Sequence, residues 1–292
     1  MSVDKLQNRI RKLKNPSMII FLPEKSQIPP IYLEDSVSFL NAYSRYAKDL
    51  MTGLKGIVPA VRFAFGAFAV QGSEGMEVLG NLMSYAHDQG FYVLLDAPEL
   101  LSAGEAALAA DAFFGEKSQW VFDGLLLSCY IGTDAVKPFT DCLKSNEKDL
   151  FLVLRTANKS APELQELLTG TRLVYTAAAD LAKRLGEGMI GRCGYSRIGG
   201  LGPATSVDSL KALRSKYPAM FLLVDGSDYS GANAKNCSAA FDKLGHGAVV
   251  CVGSSITAAW QEEHSAQVDA VASAVQAAER MKKNLNRYMT VL

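Results

Sequence analysis

The sequence predicts a closed (β/α)8 TIM barrel with an extra helix at the N-terminus and a long helix at the C-terminus. Three observations predict it. Eight short apolar runs recur along the 292 residues and alternate with longer segments of helical period, the pattern of βα units around a parallel sheet. No linker-like or low-complexity stretch breaks the alternation, so a single domain over 1–292 is expected. The rival is a doubly wound open sheet, but no GxGxxG opens a helix after the first run, which removes its best support.

The elements follow in order. The opening "MSVDKLQNRIRKLKN" is charged and amphipathic, without the apolar core or small-residue cleavage site of a secretory signal. Strands are expected at Ser17–Leu22, Ile57–Val61, Phe91–Asp96, Phe122–Ser128, Leu150–Arg155, Arg197–Leu201, Met220–Asp225 and Gly247–Val252. Between them the spacing predicts helices over Asp35–Leu54, Gly75–Gln89, Thr133–Ser145, Val207–Lys216 and Ala232–Leu244. The fourth carries its boundaries in its chemistry. Thr205 or Ser206 can cap it, Asp208 suits the first turn, Arg214 and Lys216 the last, and Pro218 stops it. The Ala- and Gln-rich segment Trp260–Arg287 reads as the final helix closing the barrel.

Composition narrows the function classes. With 49% hydrophobic and 21% charged residues the chain has the makeup of an ordinary globular protein. Thirty basic residues balance thirty acidic ones and no basic run stands out, which argues against nucleic acid or an anionic membrane as partner. The apolar runs are strand-sized, short of the roughly eighteen residues a membrane span needs. Cys129, Cys142, Cys193, Cys237 and Cys251 form no CxxC pair and no zinc spacing with the three histidines. A reduced, cytoplasmic protein without metal or cofactor is expected.

A barrel of this kind places its chemistry at the C-terminal ends of its strands. Those tips are Leu22-Pro23-Glu24, Val61-Arg62, Asp96, Ser128-Cys129, Arg155-Thr156, Gly202-Pro203, Asp225-Gly226 and Val252-Gly253-Ser254. Asp96 closes the run "YVLLD", yet the next residues, Pro98, Glu99, Leu100 and Leu101, supply no base, nucleophile or phosphate cradle.

Several stretches carry a family resemblance. "VPAVRFAFGAFAVQGSEGMEVL", "GFYVLLDAPELLSAGEAALAADAFFG", "CYIGTDAVKPF", "VLRTANKSAPELQEL" and "GYSRIGGLGPATSVDSLKALR" occur in the order and spacing of the long bacterial form of orotidine 5′-phosphate decarboxylase. The chain thus resembles that family over all but its two ends. The resemblance implies a barrel, a place in pyrimidine metabolism, and a dimer with active sites at its interface, either a homodimer or a heterodimer with an active homologue.

The family's chemistry rests on alternating aspartates and lysines, and here most are replaced. The first-strand Asp falls at Pro23, beside Glu24, and the second-strand Lys at Arg62. In the third-strand motif Asp96 keeps its identity, the Lys becomes Pro98, and the Asp lent across the dimer becomes Leu101. The Ser that reads the pyrimidine falls at Ala157, the seventh-loop Gln at Ser230, and the phosphate Arg at Ser254 or Ile256. Pro98 can supply neither a cationic field nor a proton to a nascent carbanion. Arg62 keeps the charge, but a guanidinium is a poor proton donor. Losing one preorganised partner costs roughly 3–4 kcal/mol, about a hundred- to a thousandfold in rate.

The leading expectation is therefore a decarboxylase-like barrel that has lost decarboxylation and acts by binding a small anionic ligand or a partner. Arg62, Asp96, Glu99, Arg155, Asn158, Ser230, Ser254 and Ser255 are the candidate ligand-binding residues. Each also has a plainer reading. Asp96 can simply pair with Arg62, Glu99 can be a solvated loop charge, and Arg155 with Asn158 can organise the fifth loop. The amides of "VGSS" could form a weak anion site that Asp225 and Asp228 would oppose. Two alternatives stay open: altered chemistry on another small anionic substrate using Arg62, Asp96 and Glu99, or an orotidylate decarboxylase that is still active. Phe63, Phe65 or Leu101 filling a strand-end cavity would favour binding through the surface.

Overall fold

A computed structural model describes residues 2–99, 102–262, 269–289 and 291. Eight parallel strands close into a barrel: β1 (Ser17–Phe21), β2 (Ala60–Ala64), β3 (Tyr92–Asp96), β4 (Gly124–Ser128), β5 (Asp149–Val153), β6 (Ile198–Pro203), β7 (Leu222–Asp225) and β8 (Ala248–Val252). Neighbours in sequence are neighbours in space, and β8 pairs with β1 to complete the ring. A two-stranded hairpin, Leu168–Thr169 with Arg172–Leu173, decorates the segment after β5.

Alternation along each strand divides the core in two. Ile19, Val61, Val93 and Leu95 face outward and pack under the helices, while Met18, Ala60, Leu94 and Cys251 fill the barrel interior. Phe63 belongs to the outer layer, stacked on Phe21 with centroids 5.5 Å apart. Phe65 packs on Phe113 and Trp120. Neither ring fills the mouth in the way their sequence position suggested, and Leu101 lies outside the described residues.

The second strand begins three residues later than expected. Pro59 has no N–H to give to a ladder, so pairing starts at Ala60 and runs past Arg62 to Ala64. Helix α1 (Ser2–Leu13) turns Val3, Leu6 and Ile10 into the N-terminal end of the barrel, each fully buried. Burial of each such side chain is worth about 1.5–3 kcal/mol. Polar contacts fix the plug: Lys5 reaches Asp123 at 2.6 Å, the Cys193 N–H donates to Asp4, and the Gly247 N–H donates to Gln7.

Beneath the plug, Asp149 is fully buried and accepts from the Tyr92 hydroxyl at 2.9 Å. Among the described residues its other oxygen has no hydrogen-bond partner, with Arg197 Nε 3.8 Å away. Burial pushes this carboxyl up to about 8.

Helices α2 (Phe39–Leu54), α3 (Gly72–Asp88), α4 (Ala106–Phe114), α5 (Thr133–Cys142), α6 (Val174–Leu185) and α7 (Val207–Lys216) surround the sheet. Helix α7 has the expected bounds, with the Ser206 hydroxyl accepting from the Ser209 N–H. The helix expected over Ala232–Leu244 contracts to Ala234–Ser238. Asp242 takes the Leu244 and His246 N–H groups into a turn instead, an alternative that short acidic side chains offer to a helix. The C-terminal helix α8 is Ala270–Asn286, preceded by a 3-10 turn at Ala259–Glu262; positions 263–268 lie outside the described residues. Among the described residues no helix is long and apolar enough to cross a membrane.

Candidate functional site

The barrel mouth is organised by one cation. Arg62 lies inside β2 on the interior face, in register with Leu94 of β3, and Asp96 stands two residues further along β3 on the same face. The Arg62 Nε and Nη2 both donate to Asp96 Oδ2, at 2.9 and 2.6 Å. Nη1 crosses the mouth to Asp225 Oδ1 at the end of β7, 2.7 Å away. The pairing with Asp96 follows from adjacent strands. The second carboxylate does not, because 163 positions separate Asp225 from Arg62 and only barrel closure joins them.

Both partners of the central pair are buried, Arg62 to 7% exposure and Asp96 to 9%. Burial opposes the Arg62 charge, but Asp96 and Asp225 outweigh it and hold the guanidinium well above its usual range. Asp96 moves up from the ordinary carboxylate value. Burial is the largest cause, aided by Asp225 and only partly offset by Arg62. Asp96 Oδ1 has no hydrogen-bond partner among the described residues. The charges that shift Asp96 most are Arg62 and Asp225, and Glu99 lies near enough for Asp96 to raise its carboxyl.

The neighbouring positions are furnished without cations. Pro23 is buried, and Glu24 spends its carboxylate locally on the Ser26 hydroxyl and Gln27 amide at 2.6 and 2.7 Å. Pro98 is half-buried and Glu99 exposed. Glu99 lays its carboxylate against Gly66, where a Cβ would meet Glu99 Oε1 at 2.6 Å. Its carboxyl is raised, chiefly by partial burial and further by Asp96, against the pull of the Gly66 backbone. Arg155 is committed to Glu166 at 2.7 Å and to the Thr156 carbonyl, while Asn158 bonds Thr156 and Ser160 within its own loop.

Where β8 ends, the Gly253 N–H donates to Asp228 Oδ2 at 2.7 Å and the Ser255 hydroxyl to Asp228 Oδ1 at 2.5 Å. Two donors that could hold an external anion are thus occupied by the chain's own carboxylate. Ser230 and Ser254 do not face Arg62; with Ser255 and Asp228 they line an outer groove. The eight sequence candidates therefore divide into a mouth cluster (Arg62, Asp96, Glu99), a fifth-loop pair and a groove set. Cys251 adjoins Arg62 inside the barrel, and its thiol is pushed up to about 12 by burial, which leaves it unreactive. Cys129 is likewise buried and raised to about 12. His87 is exposed at the end of α3, and His246 lies in the Asp242 turn. Among the described residues no three His, Cys, Asp or Glu side chains are arranged to hold a metal ion.

The site therefore presents a guanidinium bound by two carboxyls, with the Asp96 and Glu99 acids both raised. Among the described residues it offers no ammonium to protonate a carbanion.

No family model matches the chain. Over 238 residues it is 31% identical to the orotidine 5′-phosphate decarboxylase of Rhodopirellula baltica, covering 78% of each chain. The enzyme of that name from Clostridium novyi is 24% identical over 286 residues, covering 98% of both. Among solved structures, the Leishmania donovani OMP decarboxylase superimposes with a TM-score of 0.72 at 22% identity, over 98% of this chain and 99% of that one. The Plasmodium berghei orotidine 5′-monophosphate decarboxylase gives 0.79 at 15% identity, over 99% of both. The likeness of fold agrees with the barrel described here, and the identity over most of the length carries the assignment. The chain belongs to the orotidine 5′-phosphate decarboxylase family.

Proposed function

We propose that this chain is a decarboxylase-like barrel that no longer decarboxylates orotidylate and acts instead by binding a ligand or a partner. One observation carries the reading: proline, Pro98, occupies the position that resemblance gives to the proton-donating lysine, and the cation bound to Asp96 is a guanidinium, Arg62. A cation is present in Arg62, but two carboxylates already neutralise it. Asp96 and Asp225 together place two carboxyls against the one guanidinium of the mouth, with the Glu99 carboxyl beside Asp96. That balance repels a phosphorylated, carboxylated substrate such as orotidylate. The reading also revises the expected ligand at the mouth, since this balance disfavours an anion there.

Altered chemistry at the mouth is the second reading, favoured by the unpartnered Asp96 Oδ1 and by two raised acids, Asp96 and Glu99. The proposal places the protein in a reducing cytoplasm, supported by five free cysteines. It also makes the protein a homodimer, or a heterodimer with an active homologue. Val70, Leu108, Ile131 and Leu168 support an interface: they lie in the segments following β2 to β5 and are each more than half exposed.

The test is genetic complementation. Expressed in a cell that lacks its own decarboxylase, this chain leaves the cell dependent on added uracil. Growth without uracil would refute the proposal.

A further inference from the structure

Helix α1 closes the N-terminal end of the barrel, and its seat is unevenly made. Val3, Leu6 and Ile10 are fully buried in one cluster with Tyr92, Phe151, Tyr195 and Phe221 of the floor. The polar side of the contact is incomplete. Among the described residues six buried side-chain atoms have no hydrogen-bond partner, and four of them lie at this seat. Ser2 Oγ and Gln7 Nε2 are on the helix, and Asp149 Oδ1 and Arg197 Nε are below it. Each unmet group weakens the docked state, because water satisfies it on release.

The helix also ends on a hinge. The Asn15 N–H donates to the Ile10 carbonyl and the Lys14 N–H to that of Arg11, with Lys14 in the left-handed region at φ +50°. Among the described residues it is the one non-glycine with a positive φ, a conformation that a residue with a Cβ holds at a cost. Beyond it the chain is fastened. The Asn286 amide donates to the Lys14 carbonyl, and the fully buried Asn15 donates to the Ile57 carbonyl and accepts from the Ser17 hydroxyl. A swing at Lys14 therefore moves Ser2–Leu13 as one piece and leaves β1 in place.

Asp149 is the acid that the docked helix covers. The Ser2 side chain and the Val3 backbone of the first turn act on its carboxyl, and the Tyr92 hydroxyl donates to it at 2.9 Å. Arg197, 3.8 Å away, spends Nη1 and Nη2 on the carbonyls of Leu143, Asn146 and Lys148. The remaining charged groups of the elements packed around it are engaged elsewhere. Lys5 and the Val93 N–H hold Asp123, which also attracts Arg9, and the Cys193 N–H holds Asp4. Lys148 sits over the Phe122 ring at 3.7 Å, and Glu147 gives its backbone carbonyl to the Ser2 N–H. A carboxylate at this place is poorly served while α1 is docked.

From this geometry we infer that α1 is a pH-sensitive plug: ionisation of Asp149 drives the helix off the barrel floor as a unit about Lys14, ahead of global unfolding. Release hydrates the carboxylate and opens the Asp149–Arg197 pair to solvent, and protonation reseats the helix. The sign follows from burial, which holds the docked carboxyl up to about 8 against 3.8 for the free acid. Between these values the docked state keeps a proton that the released state gives up, so release grows by up to about tenfold per pH unit. The plug lies at the opposite end of the strands from the Arg62 cluster and does not depend on whether the mouth is catalytically silent.

Amide hydrogen exchange of the full chain, read by mass spectrometry from about pH 5 to 7.5 and corrected for the intrinsic exchange rate, tests it. Peptides of α1 are expected to be less protected than those of β3 and β5, and to lose protection by up to about tenfold per pH unit. Asp149→Asn keeps the shape without the charge and removes that slope; circular dichroism checks that it is folded. The parent's own profile decides the matter if the variant does not fold. The inference is overturned if α1 exchanges only together with the barrel strands, if its protection does not change with pH, or if the slope survives in Asp149→Asn.

Discussion

Replacing Arg62 by methionine removes the cation at the centre of the mouth while keeping an apolar stem of similar length. It leaves Asp96, 9% exposed, and Asp225 facing one another without a positive charge between them. Breaking a buried pair by deleting one partner costs about 3–5 kcal/mol. Two orphaned carboxylates argue for the upper part of that range, and the partial exposure of Asp225, at 23% of its side chain, argues for the lower. For a chain of this length such a loss lowers the melting midpoint by roughly 6–10 °C.

The loss also depends on pH with a definite sign. Burial already holds the Asp96 carboxyl above its unfolded value, and removing Arg62 raises it further. A raised carboxyl gives stability that is complete below the unfolded value and fades as pH rises through the folded one. The variant's deficit is therefore larger at pH 8 than at pH 5. Urea unfolding followed by circular dichroism at both values reads it. Adding Asp96→Asn to the variant restores part of the loss at pH 8. A deficit under about 1 kcal/mol, the scale of a surface pair, or one that does not change with pH, would refute the view that this network is buried and charged.

Other outcomes follow from single side chains. Asp149 is held at about 8 against 3.8 unfolded, so its protonated form stabilises the fold below the lower value and that contribution is lost as pH rises towards the higher. Asp149→Asn mimics the protonated acid; its melting midpoint should match the parent near pH 5 and exceed it near pH 8.5, and an equal midpoint at both would contradict the assignment. Gly226 turns the chain between Asp225 and Asp228 at φ +76°, and a Cβ there would lie 2.3 Å from that of Ala157. Gly226→Ala should therefore cost about 1–3 kcal/mol in chemical denaturation, and a neutral result would mean the turn relaxes freely. Sedimentation of the purified chain should give a dimer mass, and a strict monomer at micromolar concentration would remove that part of the proposal.

How far the sequence carried this picture depends on the range of the interactions. Strand identity is local, because an apolar run bounded by turns remains a strand whatever surrounds it. The bounds of α7 were legible because Ser206, Asp208, Arg214 and Lys216 each act within a turn or two. Arg62 concealed the true end of β2, since a charge reads as a strand terminus when its buried partners cannot be seen. The short helix after β7 was missed because Asp242 competes for backbone N–H groups, which the apolar spacing does not register. At the start of α8, Asp269 accepts from Val271 and Ala272 N–H groups, a cap available to sequence inspection but obscured by the Ala-rich run around it. The pairing of Asp225 with Arg62 is a product of barrel closure, and the engagement of Gly253 and Ser255 by Asp228 joins the loops after two neighbouring strands. Separations of 163 and 25 to 27 positions, respectively, leave no periodic trace.

The most direct measurement is the release of carbon dioxide from carboxyl-labelled orotidylate by the purified chain, beside a family member that carries the lysine. With Pro98 in that position and Arg62 bound to two carboxylates, release should stay at the rate of the buffer control. Release that scales with protein concentration and yields uridylate at a rate near that of the comparison enzyme would contradict the account.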